Sequence, residues 1–263
     1  GTAKDTERAK RRKTLQYERL YLDQLPSADR YAKSLMHRDT INFVSVTRHT
    51  AFLITTSVDG HVKFWKKQAS GIEFVKHYRA HVAMIVGACT SADGAYFATI
   101  AADGTVKVFD VQNGTAVSAG ETLVGHEGPV WQVAWAHPSF GTILASASYD
   151  GKVFIWKNEG TGAQSYGASW TRIKDHALHT ASVNSIAWAP HELGATLACA
   201  SSDGKVSVLT FNSDGSWSVD IVTAHPTGSN AVSWAPAVVA SSDANEAVPL
   251  VRRFATAGCD PVV

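Results

Sequence analysis

The sequence predicts an all-β fold built from a repeated unit, on three observations. Short runs alternate apolar and polar residues with period two. Glycine, asparagine and aspartate turns separate them. An Asp-Gly turn followed by an apolar run returns at a nearly constant interval. The chain has 263 residues, 45% hydrophobic and 18% charged, enough to bury a substantial core.

The alternating runs come in order at 41–46, 51–55, 62–65, 130–135, 153–156 and 183–188, and each ends in a turn before a globular helix can form. No window of roughly twelve or more residues carries a 3.6-residue apolar period, which disfavours an α/β enzyme. No stretch approaches the roughly 20 apolar residues that cross a bilayer, and the basic N-terminus lacks the apolar run of a secretory signal. The expectation is a soluble intracellular protein, cytoplasmic or nuclear, without direct membrane insertion. Cys89, Cys199 and Cys259 lie far apart, so they are expected to be reduced and buried, with neither disulfides nor a cysteine zinc knuckle. Asn113-Gly114-Thr115 reads as a turn rather than a glycosylation acceptor.

Charge is uneven. Residues 1–40 hold ten Lys or Arg against six Asp or Glu, and the remainder holds fourteen against seventeen. The excess comes from a basic arm over 1–30, in which Lys10, Arg11, Arg12 and Lys13 are the candidate nucleic-acid contacts; a solvated tail explains the same charges. Lys63, Lys107, Lys152 and Lys205 recur near the turns and read as solvated charges.

The repeat aligns Ser57-Val58-Asp59-Gly60 leading to Trp65, Ala101-Ala102-Asp103-Gly104 leading to Phe109, Ser148-Tyr149-Asp150-Gly151 leading to Trp156, and Ser201-Ser202-Asp203-Gly204 leading to Leu209. A fifth copy starts at Phe254 and reaches Asp260. Upstream stand His37, His81, His126, His179 and His225, spaced by 44, 45, 53 and 46 residues.

This combination resembles the WD-repeat family of β-propellers, whose blade is a four-stranded antiparallel sheet. The resemblance implies an all-β propeller over 31–263 with about five blade repeats, the last incomplete. It also implies a hydrogen-bonded network in each blade, joining histidine, second-strand hydroxyl, turn aspartate and third-strand tryptophan. That network falls on His37, Thr55, Asp59 and Trp65 in the first copy, and on His126, Ser146, Asp150 and Trp156 in the third. The second has His81, Thr99 and Asp103 but Phe109; the fourth has His179 and Asp203 but Cys199 and Leu209; the fifth has His225, Thr256 and Asp260. Without an indole donor, the second and fourth networks are expected to be weaker. His126, Ser146 and Asp150 also carry the residue types of a nucleophilic triad, yet repetition in every copy argues for a structural role. A zinc site at His176, His179 and a cysteine lacks a convincing ligand set.

Trp135, Trp188 and Trp234 each lie nine residues beyond a blade histidine and are expected to pack between blades. Trp131 is expected in phase with Trp135, which leaves open both burial and a surface anchor for a partner, and Trp170 and Trp217 are expected at the periphery.

Two finer resemblances divide the chain. From Leu15 to Asn113, with Tyr21-Leu22-Asp23-Gln24-Leu25-Pro26 most telling, it is similar to the propeller of a spliceosome-associated peptidyl-prolyl isomerase that carries WD repeats. From Leu123-Val124-Gly125-His126-Glu127-Gly128-Pro129-Val130-Trp131 through Trp188-Ala189-Pro190-His191-Glu192, it resembles the small propeller subunit of the secretory vesicle coat and nuclear pore scaffold. A recombined origin with a junction at 114–122 and a single drifted protein both account for this. The isomerase's activity does not transfer, because no isomerase domain is present.

An unfinished last copy leaves a sheet edge exposed. That edge would be completed by a protein partner, by a second copy, or by strands from 15–25 or 31–37. The expected function is a noncatalytic interaction scaffold without cofactors; an RNA-processing adaptor, an engineered propeller without a natural function, and an isomerase or hydrolase are the alternatives.

Overall fold

A computed structural model describes residues 36–46, 52–69, 71–112, 116–117, 120–160, 170–239 and 250–260. The chain divides into two compact units, 1–38 and 39–263, and every strand named below belongs to the second. Lys10, Arg11, Arg12 and Lys13, the segments 15–25 and 31–35, Asn113 and the loop at 241–247 lie outside the described residues.

Among the described residues, five blade sheets follow one another along the chain, with one small two-stranded ladder besides. The first is antiparallel in sequence order: β1 (Ile41–Val46), β2 (Phe52–Ser57), β3 (His61–Gln68) and β4 (Gly71–Arg79). The second contains β5 (Ile85–Thr90), β6 (Tyr96–Ala101) and β7 (Val106–Gln112). Its outer edge is split: β8 (Ala116–Val117) pairs with the end of β7, and β9 (Glu121–Leu123) with its start. The third is β10 (Val130–Trp135), β11 (Ile143–Ser148), β12 (Val153–Asn158) and β13 (Trp170–His176). The fourth is β14 (Val183–Trp188), β15 (Thr196–Ser201), β16 (Lys205–Phe211) and β17 (Trp217–Thr223). In the fifth, β18 (Ser229–Trp234) pairs with β21 (Phe254–Gly258), while β19 (Val238–Val239) and β20 (Leu250–Val251) form a small separate ladder. The all-β, blade-like architecture with an incomplete last sheet is therefore the one the sequence predicts. No helix of the described residues is long and apolar enough to cross a membrane.

Apolar residues on opposite faces of one sheet serve two different cores, as the two-residue side-chain period requires. Phe52, Ile54, Val62 and Phe64 of the first sheet meet Ile85, Phe97, Phe109 and Val111 of the second. Ala98, Ile100, Val106 and Val108 meet Val133, Leu144, Phe154 and Trp156 of the third. Ala145, Ala147, Val153 and Ile155 meet Val183, Ile186, Leu197 and Leu209 of the fourth. Ala198, Ala200, Val206 and Val208 meet Val232 of the fifth.

Each inner strand carries a bulge at the same place, between Ile41 and Phe43, Ile85 and Gly87, Val130 and Gln132, Val183 and Ser185, and Ser229 and Ala231. A bulge inserts one unpaired residue and turns its side chain away from the period-two register. Trp131 is such a residue, which corrects the expectation that it shares a phase with Trp135. Its indole donates to Ser182 Oγ at the start of the following blade, 3.1 Å away. Past the bulge the tryptophans point backward: Trp135 donates to the Cys89 carbonyl at 3.3 Å, Trp188 to Ala134 at 3.0 Å and Trp234 to Ala187 at 2.9 Å.

Three further expectations change. Trp170 is not peripheral but buried against Tyr96 and Trp135. Lys63 is buried rather than solvated. Of the cysteines, all free, only Cys199 is buried; Cys89 is half-buried and Cys259 exposed.

The Asp-Gly turns explain their glycines. At Gly204, with φ +85°, the carbonyl accepts from the amides of Ala224 and His225, and a Cβ would stand 2.4 Å from the His225 oxygen. Gly204→Ala therefore combines a left-handed backbone with a backbone clash. It is expected to cost more than about 2 kcal/mol of unfolding free energy in urea titration. A loss below half of that would show that the turn relaxes freely.

The blade network and the open edge

The third blade shows the network in full. His126 Nδ1 lies 3.1 Å from Asp150 Oδ2, and its Nε2 lies 2.9 Å from Ser146 Oγ. Trp156 Nε1 donates to the same Ser146 oxygen at 2.9 Å. Donors and acceptors then fall in one order: the indole N–H to serine, the serine hydroxyl to Nε2, and Nδ1–H to the carboxylate. Asp150 also accepts the Glu127 and Lys152 amides, each at 2.9 Å. Burial alone would raise the Asp150 pKa, but these amides and His126 hold it below the ordinary carboxylate value. Burial lowers that of His126, against the pull of Asp150. With His126 sandwiched against Phe154 at 4.1 Å and the Ser146 oxygen occupied by an indole, no face of this trio is open to a substrate.

The first blade repeats the tryptophan contact, Trp65 Nε1 donating to Thr55 Oγ1 at 2.9 Å, while Asp59 accepts the His61 amide at 2.9 Å. His37 belongs to the other compact unit. In the fifth blade His225 reaches Asp260 at 2.6 Å and Thr256 at 2.9 Å.

The second and fourth blades use residues that the repeat alignment does not single out. In the second, Thr105 stands between histidine and aspartate, 2.8 Å from His81 Nδ1 and donating to Asp103 at 2.6 Å. His81 Nε2 meets Thr99 at 2.8 Å, and Phe109 spends its ring on the core beside Phe64. In the fourth, His179 keeps Asp203 at 3.1 Å, but its Nε2 turns to Ser207 on the third strand, at 2.8 Å. Ser207 is also 2.8 Å from His176 Nε2, so His176 supplies the N–H that tryptophan supplies elsewhere. Cys199, buried among apolar residues with its thiol pKa pushed up to about 12, leaves the hydroxyl role to Ser207. His176 and His179, the histidines of the zinc alternative, thus spend their Nε2 atoms on one serine. Among the described residues no group of three His, Cys, Asp or Glu could hold a metal ion. A second histidine three positions before the blade histidine was the visible signal; that it serves as a donor was not.

The fifth blade differs in its edge. Among the described residues no strand pairs with the outer side of β21. Ala255 is exposed, whereas its register equivalents Ala98, Ala145 and Ala198 are fully buried. At the other end of the series, Val44 is 61% exposed, while its equivalents Val133, Ile186 and Val232 are buried.

The sequence profile described as "WD domain, G-beta repeat" matches residues 31–66, 72–110, 119–157 and 170–210, more than half of the chain. The chain belongs to the WD-repeat family. Among WD-repeat relatives it is 59% identical over 200 residues to the protein transport protein SEC13 of Mycosarcoma maydis, covering 65% of this chain and 55% of that protein. Against SEC13 of Cryptococcus neoformans it is 52% identical over 196 residues, covering 70% of this chain and 59% of the other. Against SEC13 of Coccidioides immitis the identity is 55% over 172 residues, with 65% and 56% covered. The chain thus spans a little more than half the length of these curated relatives.

Proposed function

We propose that this chain is a noncatalytic interaction scaffold of protein transport, resembling the SEC13-type propellers of vesicle coats and the nuclear pore. The observation that carries the proposal is the series of blade sheets held by buried histidine networks, in a chain whose relatives are named protein transport proteins; among the described residues no strand pairs with the outer side of β21. A sheet edge with free backbone donors and acceptors takes an added strand readily, and the four preceding sheets hold that edge in place. The strand comes from a protein partner or a second copy, and the protein acts in the cytoplasm or nucleus. The buried histidine networks hold turns; they do not perform chemistry.

Size-exclusion chromatography with light scattering over a range of concentrations, combined with hydrogen exchange, tests the edge. Amides on the outer side of β21 are expected to exchange fast in the monomer and slowly in an assembly. A compact monomer at every concentration with those amides already protected would mean internal closure and would end the proposal.

A further inference from the structure

Among the described residues the first four blades each end in an outer strand, and three of those four edges are guarded. Shortness, a bulge or a lysine keeps another chain from pairing with a free edge. In the first blade β4 bulges at Val75, which is skipped where Lys76 faces Phe64 and Phe74 faces Trp65, and it carries Lys76 and Arg79. In the third, β13 bulges at Ile173, between the partners of Ile155 and Trp156, and carries Arg172 and Lys174. In the second the edge is broken into β8 and β9, two and three residues long.

β17 has none of these guards. Its seven residues face β16 without a break, from Thr223 opposite Lys205 to Trp217 opposite Phe211. Both bulges stand beside a tryptophan, whereas the equivalent Leu209 faces Val219 in an unbroken ladder. The strand has no proline or lysine and a single charge, Asp220; its Ile221 and Val222 are 51% and 46% exposed. The Asn212 amide donates to the Ser216 carbonyl and the Ala224 amide to that of Gly204, so Ser218, Asp220 and Val222 are the residues that bond to β16. The N–H and C=O groups of Trp217, Val219, Ile221 and Thr223 therefore point outward, where among the described residues no strand pairs with them.

We infer that β17 is a docking edge whose occupant is an extended segment of another protein, with Lys or Arg opposite Asp220 between two β-branched residues. The β-branched pair covers Val219 and Ile221, and the cation meets the one charge of the strand. The backbone ladder supplies affinity and the cation selects the sequence. A second copy of this chain fits less well, because the register that overlaps all seven residues of two antiparallel copies sets Asp220 against Asp220. The edge belongs to a blade with all four strands in place and stands apart from that of β21.

A fluorescein-labelled peptide, Thr-Val-Thr-Ile-Lys-Val-Thr-Val, is titrated against the full chain by anisotropy, beside a copy with glutamate in place of lysine. The lysine peptide is expected to bind about fivefold more tightly, and Asp220→Lys to reverse the order. Ile221→Pro removes an outward amide and no bond to β16, so it is expected to abolish binding of both peptides while urea unfolding stays cooperative. Should the proline variant not fold, the reversal by the exposed Asp220→Lys decides the case. Hydrogen exchange places the peptide by slowing the amides of Val219, Ile221 and Thr223. Binding that survives Ile221→Pro, equal affinity for the two peptides, or binding of neither overturns the proposal. A dimer in light scattering that Ile221→Pro dissolves would give the edge to a second copy and overturn the partner assignment.

Discussion

Asp150→Ala is expected to lower the unfolding free energy by about 4 kcal/mol and the thermal midpoint by roughly 10 °C. The carboxylate is almost wholly buried and accepts from three donors: His126 Nδ1, the Glu127 amide and the Lys152 amide. Removing it strands the donors that fix a turn, and frees His126 to lose its tautomer and with it the Ser146 contact. Asp150→Asn, which can still accept from one or two of these groups, is expected to cost roughly half as much. Equilibrium urea unfolding measures both. A loss under about 1 kcal/mol for the alanine variant would mean that the turn is held by its glycine and backbone bonds, not by the carboxylate.

The second large effect concerns acid. Burial, reinforced by the neighbouring His179 and Lys174, lowers the His176 pKa from 6.5 to about 4. Burial moves His81 and His126 in the same direction, although their aspartates pull against it. The unfolded chain then binds protons, between pH 6.5 and 4, that the folded chain refuses. The contribution of these histidines is whole above pH 6.5 and declines as the pH falls below it; that of His176, about 3 kcal/mol, is lost as the pH falls toward 4. Asp103, Asp150 and Asp203, whose pKa values are lowered, add a later loss that begins only below their ordinary value of 3.8. Urea midpoints should therefore decline well before carboxylates titrate, and His176→Gln should flatten that decline. A wild-type midpoint that holds level from pH 7 to 4.5 would contradict this account.

Much of this was readable from spacing. The Asp-Gly turns and upstream histidines mark where chain segments must approach each other, and the glycine at each turn sits where another residue's carbonyl leaves no room for a Cβ. Tertiary substitution was not readable. Ser207 takes over from Cys199 because the two stand directly opposite each other on adjacent strands, a proximity that linear alignment hides. Thr105 and His176 serve as relays only because burial denies His81 and Ser207 any water. Trp131 misled for another reason: a bulge shifts register by one residue, and nothing in Val130-Trp131-Gln132 announces it. Trp170 reads as an outer-strand residue, and it is; Tyr96 of the preceding blade happens to cover it.

The tryptophan bonds of Trp135, Trp188 and Trp234 all run from one blade back to its predecessor, and each apolar cluster joins only two adjacent sheets. Cooperativity in such a stack is one-dimensional, passing from neighbour to neighbour as in a short linear polymer. The third blade shares its free energy with two others, while among the described residues the first and the fifth each pack against a single neighbour. A contact gripping either of those blades would therefore act like an end cap on a helix, suppressing fraying that otherwise spreads inward.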